Sequence, residues 1–231
     1  MDERTVAEIA AWVVLAVNAL AGAFALLGLT AAFAASLPPV ATASFDFYVM
    51  TLSWSPGFCD LGGDDKSPQQ CAVGAGNGFV VHGLWPDNRY GPNPEDCNPS
   101  EDASRADLDA ARGLYPTQDL ARYEYRKHGT CTGLSAGDYF AVVRTARDEL
   151  AIPPMLQSPR EWQRLSPLAI EQAFIAANAN LGPEDMAVTC ARGQLVDVRI
   201  CLSKDLKAFA VCPKVAGHTC QRASVAVAPV R

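Results

Sequence analysis

The rhythm of apolar and polar positions changes several times along this chain. From Trp12 to Ala35 it has no period: the run is Ala-rich and almost wholly apolar, broken only by Asn18 and Thr30, and no charge occurs from Ile9 to Ser44. Ser44 to Trp54, SFDFYVMTLSW, then alternates, with Phe45, Phe47 and Val49 on one side and Tyr48, Met50 and Leu52 on the other. A period of two with both faces apolar predicts a central strand buried on both sides. Pro56-Gly57 ends it. Leu61 to Gly76 reads as a Gly-, Asp-, Gln- and Pro-containing loop, Gly78 to Trp85 as a second short strand, and Asp87 to Ser100 as a Pro/Asn-rich loop.

Helical spacing takes over next. Ala103 to Gly113 predicts a short helix, and Thr117 is an N-cap for a helix running to His128, with Gly129 as its stop. Gly137 to Leu150 places Tyr139, Phe140, Val143, Ala146 and Leu150 at core spacing. Ser166-Pro167 is an N-cap followed by proline at the first helical position, and predicts a helix to about Asn180 with Leu168, Ala169, Gln172, Ala173 and Ala176 on one face. From Met186 the pattern returns to strands, in AVTC, QLVDVRICLS and AFAVC, with Val196, Val198, Ile200 and Leu202 alternating. Strands interleaved with grouped helices, with no repeat and no linker after Ser44, predict one α+β domain with a mostly antiparallel central sheet.

The apolar run near the start carries small-x-small cleavage patterns at Ala32-Phe33-Ala34 and Ala41-Thr42-Ala43. Residues 1–43 therefore read as a secretory signal peptide, with the mature chain starting near Ala35 or Ser44. The run is also long enough for an uncleaved membrane segment, and its acidic start is unlike the positive start of a typical signal. Removing Asp2, Glu3, Arg4 and Glu8 leaves 18 basic and 22 acidic residues, net −4 against −6 for the whole chain. That balance excludes a general nucleic-acid coat protein, so any polyanion must be gripped locally. The eight cysteines form no CxxC pair and suit no common zinc spacing. With an export signal they read as disulfides, for which spacing alone leaves about 105 pairings open.

The chemistry gathers in two short words. FVVHGLWP, residues 79–86, sets His82 in an apolar strand; EYRKHGTC, residues 124–131, sets Glu124, Lys127 and His128 on a helix. Spacings of three and four put this carboxylate, ammonium and imidazole on one helical surface, which His82 can face across a cleft. Two imidazoles on opposite sides of a reacting centre serve as base and acid in one turnover. A cation beside them favours a transition state gaining negative charge, such as a phosphorane. No serine or cysteine nucleophile is evident in either word, but with RNA the substrate's own 2′-hydroxyl is one. Trp85 offers a stacking face for a base. Taken singly these residues have plainer readings. A histidine in an apolar strand is ordinarily a satisfied core residue, Glu124 with Lys127 a solvated pair, Trp85 core, and His218, between Gly217 and Thr219, a surface-loop residue.

The two words resemble the active-site blocks of the ribonuclease T2 family: HGLWP at 82–86 the first, Glu124 with KHGTC at 127–131 the second. FDFYVMTLSWSPGFC at 45–59 is similar to that family's first strand and the turn after it. The resemblance implies a disulfide-stabilised α+β domain over residues 44–231 that cleaves single-stranded RNA through a 2′,3′-cyclic phosphate. It implies no metal or other cofactor, a monomer, and a secreted or periplasmic setting. His128 would be the base and His82 the leaving-group acid. Glu124 and Lys127 would steady the phosphorane, and Trp85 and Asp87 would line the base pocket. It further implies the bridges Cys59–Cys71, Cys97–Cys131, Cys190–Cys220 and Cys201–Cys212. Members of the family often carry a phosphate-binding histidine just before the glutamate; here Tyr123 stands there and offers a hydroxyl without a positive charge. Competing readings are an RNA-binding or cytotoxic protein with weak or dispensable catalysis, and a periplasmic phosphoesterase acting on small esters. Retention of His82, Glu124, Lys127 and His128 weighs against the first, and the lack of a metal cluster or protein nucleophile in the motifs against the second.

Overall fold

A computed structural model describes residues 43–231; the leader assigned to residues 1–43 lies outside them apart from its last residue. The described residues build a six-stranded sheet with helices packed on it. Strand β1 (Phe47–Trp54) pairs antiparallel with β2 (Phe79–Asp87) on one side and with β5 (Gln194–Leu202) on the other. Strand β4 (Met186–Ala191) is antiparallel to β5. Two short strands, β3 (Gln163–Leu165) and β6 (Val225–Val227), complete the sheet, and β6 meets β5 in its one parallel pairing. The strand order is β2-β1-β5-β6-β3, with β4 off this path. At three residues each, β3 and β6 are too short for their alternation to stand out in the sequence.

The alternation of β1 sorts the molecule into a large core and a smaller one. Tyr48, Met50, Leu52 and Trp54 enter the large core with Leu84, Val198 and Ile200. Phe47 and Val49 enter a smaller cluster with Ala187, Cys201, Cys212 and Val215. Every residue of β1 is buried except Ser53, which is only partly covered.

Helices α1 (Arg105–Ala110), α2 (Gln118–Lys127), α3 (Ala136–Asp148) and α4 (Pro167–Ala177) begin at Ser104, Thr117, Ser135 and Ser166, and each hydroxyl accepts a backbone N–H one turn on. Such caps satisfy donors that a helix start leaves free, worth about 1 kcal/mol each. The core spacing read for α3 holds, with Tyr139, Phe140, Val143, Ala146 and Leu150 all buried.

Three local expectations need correction. Gly129 does not end α2 by adopting a left-handed backbone; His128 caps the helix, a 3-10 turn follows over Gly129–Thr132, and Gly133 takes the positive φ of 74°. Gly129 is small for another reason: a Cβ there would lie 2.4 Å from the Tyr125 ring. On α4 the stripe containing Leu168 and Gln172 faces solvent, while Ile170 and Phe174 are buried, with Phe174 packed edge-on to Phe79. This helix is apolar nearly all round, so periodicity could not choose the face; contact with Phe79 does. AFAVC is not a strand. Phe209 makes a single bridge to Leu202, and the chain then turns so that Cys212 reaches Cys201. Two further disulfides pair Cys59 with Cys71 and Cys190 with Cys220. The fourth, Cys97–Cys131, ties the loop after β2 to the turn after α2.

Candidate active site

His82 sits at an irregularity in β2. The β1 pairing runs Thr51 with Gly83 and then Leu52 with Val81, leaving His82 as the extra residue of a β-bulge. A bulge re-aims a side chain without ending the strand. Here it lets His82 and Trp85, three apart, approach the same carboxylate, while Val81 and Leu84 both enter the large core. Gly83, between them, has no room for a side chain. A Cβ there would stand 2.1 Å from Glu124 Oε2 and 2.3 Å from Trp85 Nε1.

Glu124, on α2, is the centre of the arrangement and is almost fully buried. Its Oε1 lies 3.7 Å from His82 Nε2 and its Oε2 4.0 Å from His128 Nε2. The Trp85 indole N–H donates to Oε2 at 2.7 Å. The sequence-predicted His82, Trp85, Glu124 and His128 are thus brought together around one carboxylate. Trp85 is enclosed more than a free stacking platform would be. Its ring centroid is 5.4 Å from that of His82 and 5.2 Å from that of His128, and the Arg199 guanidinium carbon lies 5.4 Å from it.

The two imidazoles have opposite tendencies. Burial lowers the His128 pKa, aided by the charges of Lys127 and His82, to about 3. Its Nδ1 is buried without a partner. Burial also works against charge on His82, as does Arg199, but the hydrogen bond with Asp197 and the charges of Glu124 and Asp197 outweigh it and raise the pKa. Burial raises the Glu124 carboxyl above its ordinary range, against the pull of His82, the Trp85 bond and Lys127.

Lys127 stands farther out. Its ammonium is 3.5 Å from Glu95 and 5.9 Å from the centre of the exposed Tyr123 ring. Asp87 is buried at the end of β2, where Asn93 donates to it at 2.8 Å and the Lys214 ammonium lies 3.5 Å away. Tyr123 and Asp87 are thus not part of the cluster about Glu124. His218 is exposed after a short helical turn. Beside His82 opens a groove of about 1150 Å³ lined by Ser53, Gln70, Leu108, Tyr115 and Leu120 among others. Among the described residues no group of three or more His, Cys, Asp or Glu is disposed to hold a metal ion.

Sequence reading passed over Ser53, Asp197 and Arg199, which approach His82 or Trp85 from β1 and β5. A signal was present, since Ser53 and Asp197 are polar residues inside largely apolar strands. Their meeting depends on strand register, which the sequence does not print.

Known proteins resemble this chain over most of its described length. The model of the Ribonuclease T2 family matches residues 45–212. A ribonuclease of Aeromonas hydrophila is 34% identical over 168 residues, covering 70% of this chain and 73% of the relative. Ribonuclease DdI of Dictyostelium discoideum is 30% identical over 194 residues, covering 76% and 82%. Among solved structures, the self-incompatibility associated SF11-RNase of Nicotiana alata superimposes with a TM-score of 0.63 at 22% identity, over 81% of this chain and all (100%) of that one. RNase NT, solved in complex with 5′-AMP, gives 0.61 at 21% identity, over 80% of this chain and 99% of that one. With the family model spanning both histidine blocks and the strands beneath them, the chain belongs to the ribonuclease T2 family and is a ribonuclease.

Proposed function

We propose that this endoribonuclease cleaves single-stranded RNA by transphosphorylation through a 2′,3′-cyclic phosphate, with His128 as base and His82 as acid. The observation that carries the division of labour is the Glu124 carboxylate standing between two imidazoles of opposite tendency. A base must begin neutral and an acid must begin protonated. His128, buried and beside a lysine, stays neutral and takes the 2′-hydroxyl proton. His82, flanked by Glu124 and Asp197, holds a proton and delivers it to the departing 5′-oxygen. The 2′-oxygen–phosphorus bond forms as the phosphorus–5′-oxygen bond breaks.

Glu124 steadies both imidazoles through the phosphorane. Lys127 supplies positive charge near it, exchanging Glu95 for a phosphate oxygen when substrate arrives. Trp85 orders Glu124 through its indole N–H and offers its remaining surface to the base. The groove beside His82 receives the leaving nucleoside, since the acid lines that groove. Asp87 shapes the base pocket, and Tyr123 contacts phosphate from the exposed face of α2. The enzyme acts as a monomer, secreted or periplasmic, a setting supported by its four disulfides.

Incubation of the mature protein with single-stranded RNA in excess chelator is expected to yield 2′,3′-cyclic phosphate ends. Their absence, with all four disulfides formed, would overturn this mechanism.

A further inference from the structure

On the side of His82 away from Glu124, β1 and β5 contribute a hydrogen-bonded arrangement whose effect on the choice of ring nitrogen the reaction outlined above leaves open. Ser53 and Asp197 are direct cross-strand partners. The Ser53 hydroxyl donates to Asp197 Oδ1 at 2.5 Å, and its oxygen is 3.3 Å from His82 Nδ1. Asp197 Oδ1 itself stands 3.9 Å from His82 Nδ1. Asp197 is only 5% exposed, and its carboxylate is held from its other side, with Thr189 Oγ1 3.4 Å and Arg199 Nη2 3.7 Å from Oδ2. Ser53 and His82 line the groove, whereas Asp197 lies behind them. Enclosing a carboxylate is unfavourable unless charge and hydrogen bonds offset it.

Proton counting gives the arrangement a direction. A serine hydroxyl has one proton and two lone pairs. The short contact to Asp197 takes the proton, so toward His82 the Ser53 oxygen can only accept. Nδ1 of His82 must then carry hydrogen in both charge states of the ring. The proton that comes and goes is left on Nε2, the nitrogen on the Glu124 side.

We propose that Asp197, acting with Ser53, is the positioning residue of the leaving-group acid: it holds His82 in the Nδ1–H form and makes Nε2 the nitrogen that protonates the 5′-oxygen. This rests on His82 being the acid. In the step, the Nε2–H bond breaks and an O–H bond forms on the 5′-oxygen as the phosphorus–oxygen pair moves onto that oxygen. His82 is left neutral with its hydrogen on Nδ1. The groups facing His82 are Ser53 from β1, Asp197 and Arg199 from β5, Trp85 from its own strand, and Glu124 and His128 from α2 and its cap. Of these, Asp197 both accepts the Ser53 proton and supplies negative charge on the Nδ1 side.

Two substrates separate this role from a structural one. RNA has a leaving group that needs a proton; nucleoside 3′-(4-nitrophenyl) phosphates have one that does not. Asp197→Asn is expected to lower kcat on RNA by about tenfold or more and to leave the nitrophenyl esters within about twofold. The titration midpoint of His82, followed by NMR, moves down. Asp197→Glu restores part of the RNA rate, and Ser53→Ala shows the same selective loss in smaller degree. Equal losses on both substrates in Asp197→Asn, or an unmoved His82 midpoint, would overturn the proposal. If Asp197→Asn does not fold, Ser53→Ala decides by the same two readouts. His82→Ala tests the underlying reading separately. Equal loss on both substrates there removes His82 as the acid and the proposal with it. Selective loss there, with Asp197→Asn and Ser53→Ala unaffected, removes only the role of Asp197.

Discussion

The two histidines occupy unlike supports, and the contrast explains how one residue type supplies both halves of an acid–base pair. His128 caps a helix, is almost wholly covered, and has a lysine beside it in sequence. His82 stands at a bulge in a sheet, half-exposed to the groove, with a carboxylate near each ring nitrogen. Desolvation opposes charge on both rings. It prevails at His128, where the charges of Lys127 and His82 add to it, and is overcome at His82, where the hydrogen bond and charge of Asp197 and the charge of Glu124 outweigh it together with Arg199. The surroundings of each ring set the proton inventory, and Glu124 couples them.

The sharpest way to break this contrast is to remove each ring. His128→Ala is expected to cost about 10²–10⁴-fold in kcat/KM, on RNA and on nitrophenyl esters alike, because a base is needed whatever the leaving group. Steady-state kinetics on the two substrates checks this. An equal effect of His82→Ala on both would erase the distinction.

A pH–rate profile probes the contrast without mutation. Activity needs His82 protonated, so kcat/KM falls as pH rises through its raised pKa, by about tenfold per unit beyond it. On the acid side Glu124, raised above the ordinary carboxylate range, protonates before His128 at about 3. The acid limb therefore reports Glu124, and Glu124→Gln should move that limb while leaving the basic limb's sense unchanged. A profile whose rate increases with pH through the ordinary histidine range would reverse the assignment.

Gly83→Ala attacks the coupling itself. The new methyl would meet Glu124 Oε2 and Trp85 Nε1, so the carboxylate must move off the line between the rings. A loss of about 1–3 kcal/mol in stability is expected from overpacking, measured by thermal melting, together with lower kcat. Wild-type kcat in a stably folded Gly83→Ala protein would show that the position of Glu124 is not critical.

The smallest effect belongs to the exposed face of α2. Tyr123→His places a second cation beside Lys127 when protonated, and kcat/KM on RNA should rise by about a few-fold, as one exposed ionic contact would give. An unchanged kcat/KM would remove Tyr123 from substrate contact and confine the working surface to the cluster around Glu124.

Much of this protein was legible before folding was considered. Period-two and helical spacing located β1, β5 and α2, because each is long enough for its pattern to stand out. The words around His82 and His128 named four residues of the cluster, since helix spacing alone sets Glu124 and His128 on one face. Local signals failed where a choice is made by distant partners. The buried side of α4 is selected by Phe79, and the left-handed residue falls at Gly133, after a 3-10 turn, while Gly129 is small because the Tyr125 ring lies against it.

The sequence by itself determined the types of the longer elements, the His82, Glu124 and His128 chemistry of the site and the family to which they point, because those follow from residue identity and short-range spacing. The tertiary structure alone decided that His82 projects from a bulge, that Glu124 fits against Gly83 between the two rings, and that Ser53 and Asp197 meet behind His82. Those features depend on strand register, which is set by burying both faces of β1 against partners far along the chain, such as Leu202 opposite Tyr48 and Asp197 opposite Ser53. The protonation preference of each histidine depends on the same packing, since it is fixed by what surrounds the ring in space and not by its neighbours in the chain.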